Sequence, residues 1–455
     1  MAEQDMRELG STGLKRSGGV ILEEYLPELT GSRWFNVVRE MQDHPIVSAM
    51  LYLVGMQMRR VQWAVKPADA SKTAKKWADM MDTCMQDMSS TWADTISEID
   101  SMFPYGFAVL ELVYKKRDGK VSRYNDGLIG WRKWAPRPQD TISWEFDEAG
   151  GVEAIEQNDY YAVNAKSVRI PIEKLLLFRT ISRKSNPEGR SLLRSAYRPY
   201  YFAKHLANVQ AIWYERLNGI PYGRVPSQIL SASATVAQQA ILTDFKEIVT
   251  NLRVDEQAGI ILPSDRDENG NPYYELSLLR ADSQGGYDIE ATIERNHMEI
   301  LMSILADPIM MGHTSVGSNA LSVTKMDMFW TGIDAMMQGI ADVINRHAIS
   351  KLMKLNGVPE KYWPKLVPGS VERVDLDQLG QYIVRLSGSG VPISDPELQR
   401  YLLRQGNMPV SAEMEAGKMP QPVTPTAAAG KMEDAGRSAQ AATKQRNENA
   451  GNNVR

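Results

Sequence analysis

The sequence predicts an α+β protein. Three observations predict it: long stretches of helical apolar spacing, an intervening region of strand spacing closed by glycine turns, and an uncharged break between two late helices. Residues 1 to 30 carry Gly, Ser and mixed charge and read as a loose arm. Helical patterning covers about 33 to 60 and 70 to 102, the latter with Trp77, Met81, Trp92, Ile96 and Ile99 on its apolar positions. From 105 to 180 the period changes to strands. Phe107, Val109, Glu111 and Val113 lead to Asp118-Gly119, and Trp144 and Phe146 lead to Gly150-Gly151, both hairpin signals of an antiparallel body.

Pro187-Glu188-Gly189-Arg190-Ser191-Leu192-Leu193 opens a long helix that runs to the stop at Asn218-Gly219. Pro199 inside it removes a backbone donor and predicts a kink or a start. A compact insertion follows, with a helix near 234 to 252 and strands near 259 to 263 and 273 to 279. Ile289, Ile293, His297, Ile300, Leu301 and Ile304 then recur at three- and four-residue spacing, an amphipathic helix that Asp307-Pro308 should end.

From Pro308 to Ser322 there is no Asp, Glu, Lys or Arg, and Gly312, Gly317, Ser315, Ser318 and Asn319 favour loop geometry. Helical spacing resumes at Leu321, Val323, Met326, Phe329, Ile333 and Met337 and lasts about 34 residues, roughly 50 Å at 1.5 Å per residue. Beyond 356 the chain turns through Pro359, Pro364 and Pro368, with short helices near 375 to 387 and 395 to 404. From Ser411 aromatics vanish, so burial cannot offset chain entropy and a tail disordered in isolation is expected.

Composition excludes several classes. A net charge of -4 argues against tight nonspecific phosphate binding, which needs clustered Lys and Arg. The single cysteine, Cys84, excludes an internal disulfide framework and any multi-cysteine metal site, and suits a reducing cytoplasm. Glu3, Asp5, Arg7 and Glu8 precede any apolar run, unlike a signal peptide. The uncharged run Pro45 to Met58 has 14 residues, too short to span a bilayer, and reads as a buried helix. The 24 methionines suit either ordinary core filling or interfaces that repack.

No catalytic constellation stands out. Asp265-Arg266-Asp267-Glu268-Asn269-Gly270 matches the opening of a calcium loop, but Leu276 stands where a bidentate acid is needed and the flanks read as strands, so a polar hairpin tip is expected. The five histidines lack zinc spacing. His297 lies on an apolar helical face and reads as a buried imidazole, whereas His313 in the neutral break could meet DNA. No GxxxxGK phosphate loop and no nucleophile elbow occur. Arg190, Arg194 and Arg198 share a face at four-residue spacing, with Lys204 and Arg216 beyond them. Three readings stay open for that stripe: a solvated face, phosphate contact, or pairing with Glu290, Glu294 or Glu299 on an adjoining helix.

The run EGRSLLRSAYRPYYFAKHLANVQAIWYERLNGIPYG, followed from Ile304 by ILADPIMMGHTSVGSNALSVTKMDMF, resembles the portal proteins of tailed bacteriophages. The words VQWAVKP (Val61 to Pro67) and PYGFAVLELVYK (Pro104 to Lys115) are similar to the transposable-phage branch, and the likeness covers roughly residues 30 to 385. The resemblance implies a portal-like ring subunit with long stem and wing helices, an antiparallel β wing portion and a small α/β clip. By position, 1–30 would be an N-terminal arm, 31–189 the wing, 190–218 the first stem helix and 219–286 the clip. The second stem helix would be 287–307, the tunnel loop 308–321, the long wing helix and its return 322–371, the crown 372–410, and the tail 411–455.

It also implies a ring, typically of twelve subunits, at one capsid vertex of the virion, assembled in the host cytoplasm, through which DNA is packaged and ejected. Implied partners are further copies of the chain, double-stranded DNA without sequence preference, the terminase large subunit, the head–tail adaptor, and major capsid and scaffolding proteins. No cofactor, metal or membrane is implied, and ATP hydrolysis is expected in the terminase. Met310, Met311, Gly312, His313, Thr314, Ser315, Ser318 and Asn319 would line the tunnel, where a neutral collar avoids the deep electrostatic wells that stall sliding. Asp265, Arg266, Asp267, Glu268 and Asn269 would form a docking tip on the clip. The competing readings are a nucleic-acid-processing enzyme that encircles DNA and a non-portal oligomeric scaffold.

Overall fold

Glycines and prolines set the first boundaries. In this computed structural model, which describes residues 10–158, 167–215, 220–252, 260–266, 268–279, 288–303, 319–369 and 376–388, Gly18 and Gly19 turn β1 (Arg16–Ser17) into β2 (Val20–Ile21) with positive φ. The expected loose arm is therefore held down from this hairpin onward. Ile21 and Leu29 are buried, and Trp144 N donates to Gly19 O at 3.0 Å. Helical patterning at 33 to 60 resolves into α1 (Ser32–Gln42) and α2 (Pro45–Arg60), because Pro45 lacks a backbone donor and starts a new helix. α2 is only half-buried: Val47, Met50 and Met58 face the core, while Tyr52 and Met56 are exposed.

After β3 (Trp63–Lys66) come α3 (Lys72–Gln86), capped by Ser71, α4 (Trp92–Asp100), opened by the Thr91/Asp94 capping box, and the short α5 (Met102–Tyr105). β4 (Phe107–Asp118) and β5 (Asn125–Arg137) form the hairpin closed at Asp118-Gly119. β6 (Ile142–Phe146) and β7 (Val152–Asn158) close at Gly150-Gly151, and β8 (Ser167–Pro171) and β9 (Leu175–Arg179) follow. The sheets run β5-β4-β9 and β6-β7-β8, and every strand pair among the described residues is antiparallel.

Period-two alternation makes β4 the wall between two cores. Ala108, Leu110 and Leu112 join the main core with Trp131, Phe103 and Ile96, whereas Phe107 and Val109 join Trp144, Ile155 and Ile170 in the second. Met41, Met50, Met58, Met81 and Met337 are fully or almost fully buried, so these methionines fill core space. Trp63, Trp92, Trp134 and Trp131 stack edge to face with ring centroids 5.1 to 5.8 Å apart. Their buried indole nitrogens have no hydrogen-bond partner, and the stacking turns ring edges towards neighbouring π faces, which offsets part of that cost.

α6 (Leu193–Glu215) carries Pro199 within its second turn, and β10 (Ile220–Arg224), α7 (Val236–Asn251), β11 (Glu275–Leu279) and α8 (Ile289–Met302) follow. α9 (Asn319–Val343) continues through a π-helical segment, Ile344–Ile349, into α10 (Ser350–Leu355). Here Asn345 behaves as a strand residue: its amide exchanges two 2.8 Å bonds with the backbone of Leu366 in β12 (Lys365–Pro368), which pairs with β3. Asn356 does the same for Ile129 of β5. These side chains tie the long helix to both sheets. A second unit, Arg373–Arg455, contains α11 (Leu376–Gly388).

Candidate functional site

Glu188-Gly189-Arg190 forms the root from which α6 leaves the body. Gly189 (φ 60°) and Gly106 (φ 94°) pass so closely that a Cβ on Gly189 would lie 2.4 Å from Gly106 O, and one on Gly106 2.6 Å from Glu188 O. Thr180 N donates to Gly106 O at 3.1 Å, Arg190 N donates to Thr180 Oγ1 at 3.3 Å, and Ser191 Oγ donates to Pro104 O at 2.6 Å. Ser191 Oγ also accepts from Leu193 N at 3.0 Å, which caps the helix. Trp144 Nε1 donates to Glu188 Oε1 at 3.2 Å. Burial pushes the Glu188 carboxyl up to about 7, against that bond.

The helix starts at Leu193, so Arg190 precedes it and the expected three-arginine face reduces to Arg194 and Arg198. Arg194 grips Glu24 with two bonds, the Nη2–Oε1 one 2.8 Å. Burial pulls the Glu24 carboxyl upward, but Arg194 and the Leu26 and Tyr25 backbone donors outweigh it and hold it below its ordinary value. Arg198 lies 5.7 Å from the Phe202 ring centroid, and Lys204 pairs with Glu40 of α1. Glu290, Glu294 and Glu299 are exposed on α8, where Glu299 reaches Arg295 at 4.0 Å. Among the described residues no ion pair joins α6 to α8.

The two helices pack side by side, and where they meet α2 the His44 ring touches Tyr200 and His297 at centroid distances of 5.6 and 5.3 Å. Burial lowers both imidazole pKa values, and His297 lowers that of His44 further, so His297 is half-buried against a second imidazole. Beyond Ala203 the α6 surface opens: Val209, Ile212 and Tyr214 are more than half exposed.

At the far end β10 pairs with β11, and Phe245 of α7 fills the space over Gly223, where a Cβ would lie 2.3 Å from Phe245 Cε1. Residues 260–265 form no strand; only Arg266 and Pro272 make an isolated bridge, and Tyr273 N donates to Asp265 O at 3.1 Å. Asp265, Arg266, Glu268 and Asn269 are exposed at this tip, with Arg266 Nη1 on Gly270 O at 2.8 Å. Leu276 sits in β11, and no metal-holding group of acids and histidines occurs among the described residues. Met310, Met311, Gly312, His313, Thr314, Ser315 and Ser318 lie outside the described residues, as do Asp267, Arg216 and 389–455; Asn319 opens α9. No helix among the described residues is long and apolar enough to cross a membrane.

A family model, the portal protein of Mu bacteriophage, matches residues 35–402. The chain belongs to that portal protein family. No curated protein sequence matches this portal chain. In fold it is similar to a chain from the virion of a native gene transfer agent particle, with TM-score 0.51 and 12% identity over 83% of this chain and 94% of that one. A chain from the neck of a native gene transfer agent particle, computed with C12 symmetry, gives 0.50 with the same identity and coverage. The portal family is a structural one, and the long helix pair, small insertion and long α9–α10 helix are the fold elements this portal chain presents.

Proposed function

We propose that copies of this chain form a closed ring, a dodecamer, at the capsid vertex, with DNA passing through its bore during packaging and ejection. The observation that carries the reading is the distal half of α6. Val209 and Ile212 are 52% and 53% exposed on the helix that packs beside α8. Burying the exposed half of each against a neighbour contributes roughly 1 kcal/mol, and an isolated helix pair is marginal without such burial. C12 symmetry in a neck of similar fold supports the subunit number.

In this reading α6 and α8 are the stem helices, the insertion between them is the clip, and residues 308–321 are the tunnel collar. The acidic tip at Asp265 to Asn269 docks the terminase large subunit during packaging and the head–tail adaptor afterwards. The wing meets scaffolding and major capsid proteins during assembly in the host cytoplasm, and the ring remains at the capsid vertex of the virion. The chain itself does no catalysis. Negative-stain imaging of the purified protein tests the reading. Rings with a bore wide enough for duplex DNA are expected, and a protein that stays monomeric at every concentration overturns it.

A further inference from the structure

The N-terminal segment, α1 and the loop before α6 enclose a cavity of about 430 Å³. Its lining includes Trp34, Phe35, Tyr105 and Phe107, with the 81% exposed Tyr25 also on its wall. Two carboxylates on the wall are neutralised, Glu23 by Lys184 at 3.0 Å and Glu24 by Arg194. Glu188 also lines the cavity, and its raised pKa leaves it only partly ionised at neutral pH. Arg183 and Arg190 line the same cavity, are exposed, and pair with no carboxylate among the described residues.

The positive surface continues past the opening. Arg179 Nη1 donates to Ser182 Oγ at 3.0 Å and to Asn186 O at 3.1 Å, neither of them charged. Beside it, in and just after the π-helical segment, stand Arg346, His347 and Lys351. They are close enough that, after burial, Lys351, Arg346 and Arg179 each lower the His347 pKa. Glu173 is the one acid acting on Lys351 there. In a chain of net charge -4, this gathers Arg179, Arg346 and Lys351 around a single carboxylate, Glu173, among the described residues.

We propose that this cavity and the basic surface beside it dock an acidic peptide segment of a partner protein, with an aromatic or aliphatic side chain in the cavity and flanking carboxylates on Arg183, Arg190 and the surface formed by Arg179, Arg346 and Lys351. An aromatic-lined hole needs an apolar knob, which duplex DNA does not offer. The charge around it favours carboxylates over basic segments.

Fluorescence anisotropy with the full chain and a dye-labelled peptide, one Phe flanked on each side by three Glu, tests this. Binding is expected to weaken at least about tenfold in Arg183→Gln/Arg190→Gln, by less in Lys351→Gln, and also when the peptide's Phe becomes Gly. The proposal falls if the peptide does not bind, if the arginine variant binds it unchanged, or if a 20-base-pair duplex binds more tightly and loses that binding in the same variant. Imaging the same samples for rings scores the portal reading separately, since peptide binding does not require assembly.

Discussion

Trp131 has no solvent exposure and shares its core with Phe103, Ile96 and Leu110, all buried, whereas α6 beyond Ala203 shows Val209, Ile212 and Tyr214 to water. Both regions draw on the same residue types. The difference is where the second layer comes from: the body supplies its own, and among the described residues the distal half of α6 has none over Val209, Ile212 and Tyr214. Stability therefore belongs to the body and assembly to the rods, and substitutions should separate the two.

The largest expected effect is on assembly. Val209→Asp/Ile212→Asp should abolish rings in negative stain while the thermal midpoint of the dissociated chain changes little; rings that persist would break the contrast. Next, Trp131→Ala should cost about 3–5 kcal/mol in denaturant unfolding of the dissociated chain, since it opens a cavity in the body.

Glu188 sharpens the comparison at the root between the two regions. Its folded pKa, about 7, lies above the ordinary 4.5, so the stability it contributes is complete below pH 4.5 and is lost as pH rises through 7. Glu188→Gln keeps an acceptor for Trp144 and should gain up to roughly 3 kcal/mol at pH 8, with no gain at pH 4.5, by chemical denaturation. The smallest effect concerns His44 and His297, whose pKa values are both lowered from 6.5, so stability falls as pH drops through 6.5. His297→Leu should move the acid limb of a melting series slightly to lower pH, because it removes one of the two imidazoles whose charging the folded state disfavours.

Much of this fold was legible in the sequence because it is written locally. The glycine turns at Gly119 and Gly150 and the amphipathic spacing of α7 and α8 need no distant partner to be recognised. β10 escaped notice because Pro221 and Gly223 argue against a strand. In a two-stranded sheet every strand is an edge, so Pro221 is tolerated, and Gly223 makes room for Phe245. The partner of Arg194 was hidden for another reason: Glu24 lies 170 residues away, and no periodicity connects them. The role of Glu188 was equally invisible, since its hydrogen-bond partner is Trp144 of β6, 44 residues earlier in the chain. The collar residues 310–318 rest on the sequence reading alone.

The tryptophan ladder has a practical consequence. Indoles this close, set nearly at right angles, couple their excited states, so the far-ultraviolet dichroism of the protein should carry an exciton signature from Trp63, Trp92, Trp134 and Trp131. All four belong to the body, which makes that signal an optical witness to one half of the molecule and blind to the other. Its persistence through a transition that dissolves the ring would show directly that the subunits part before they melt.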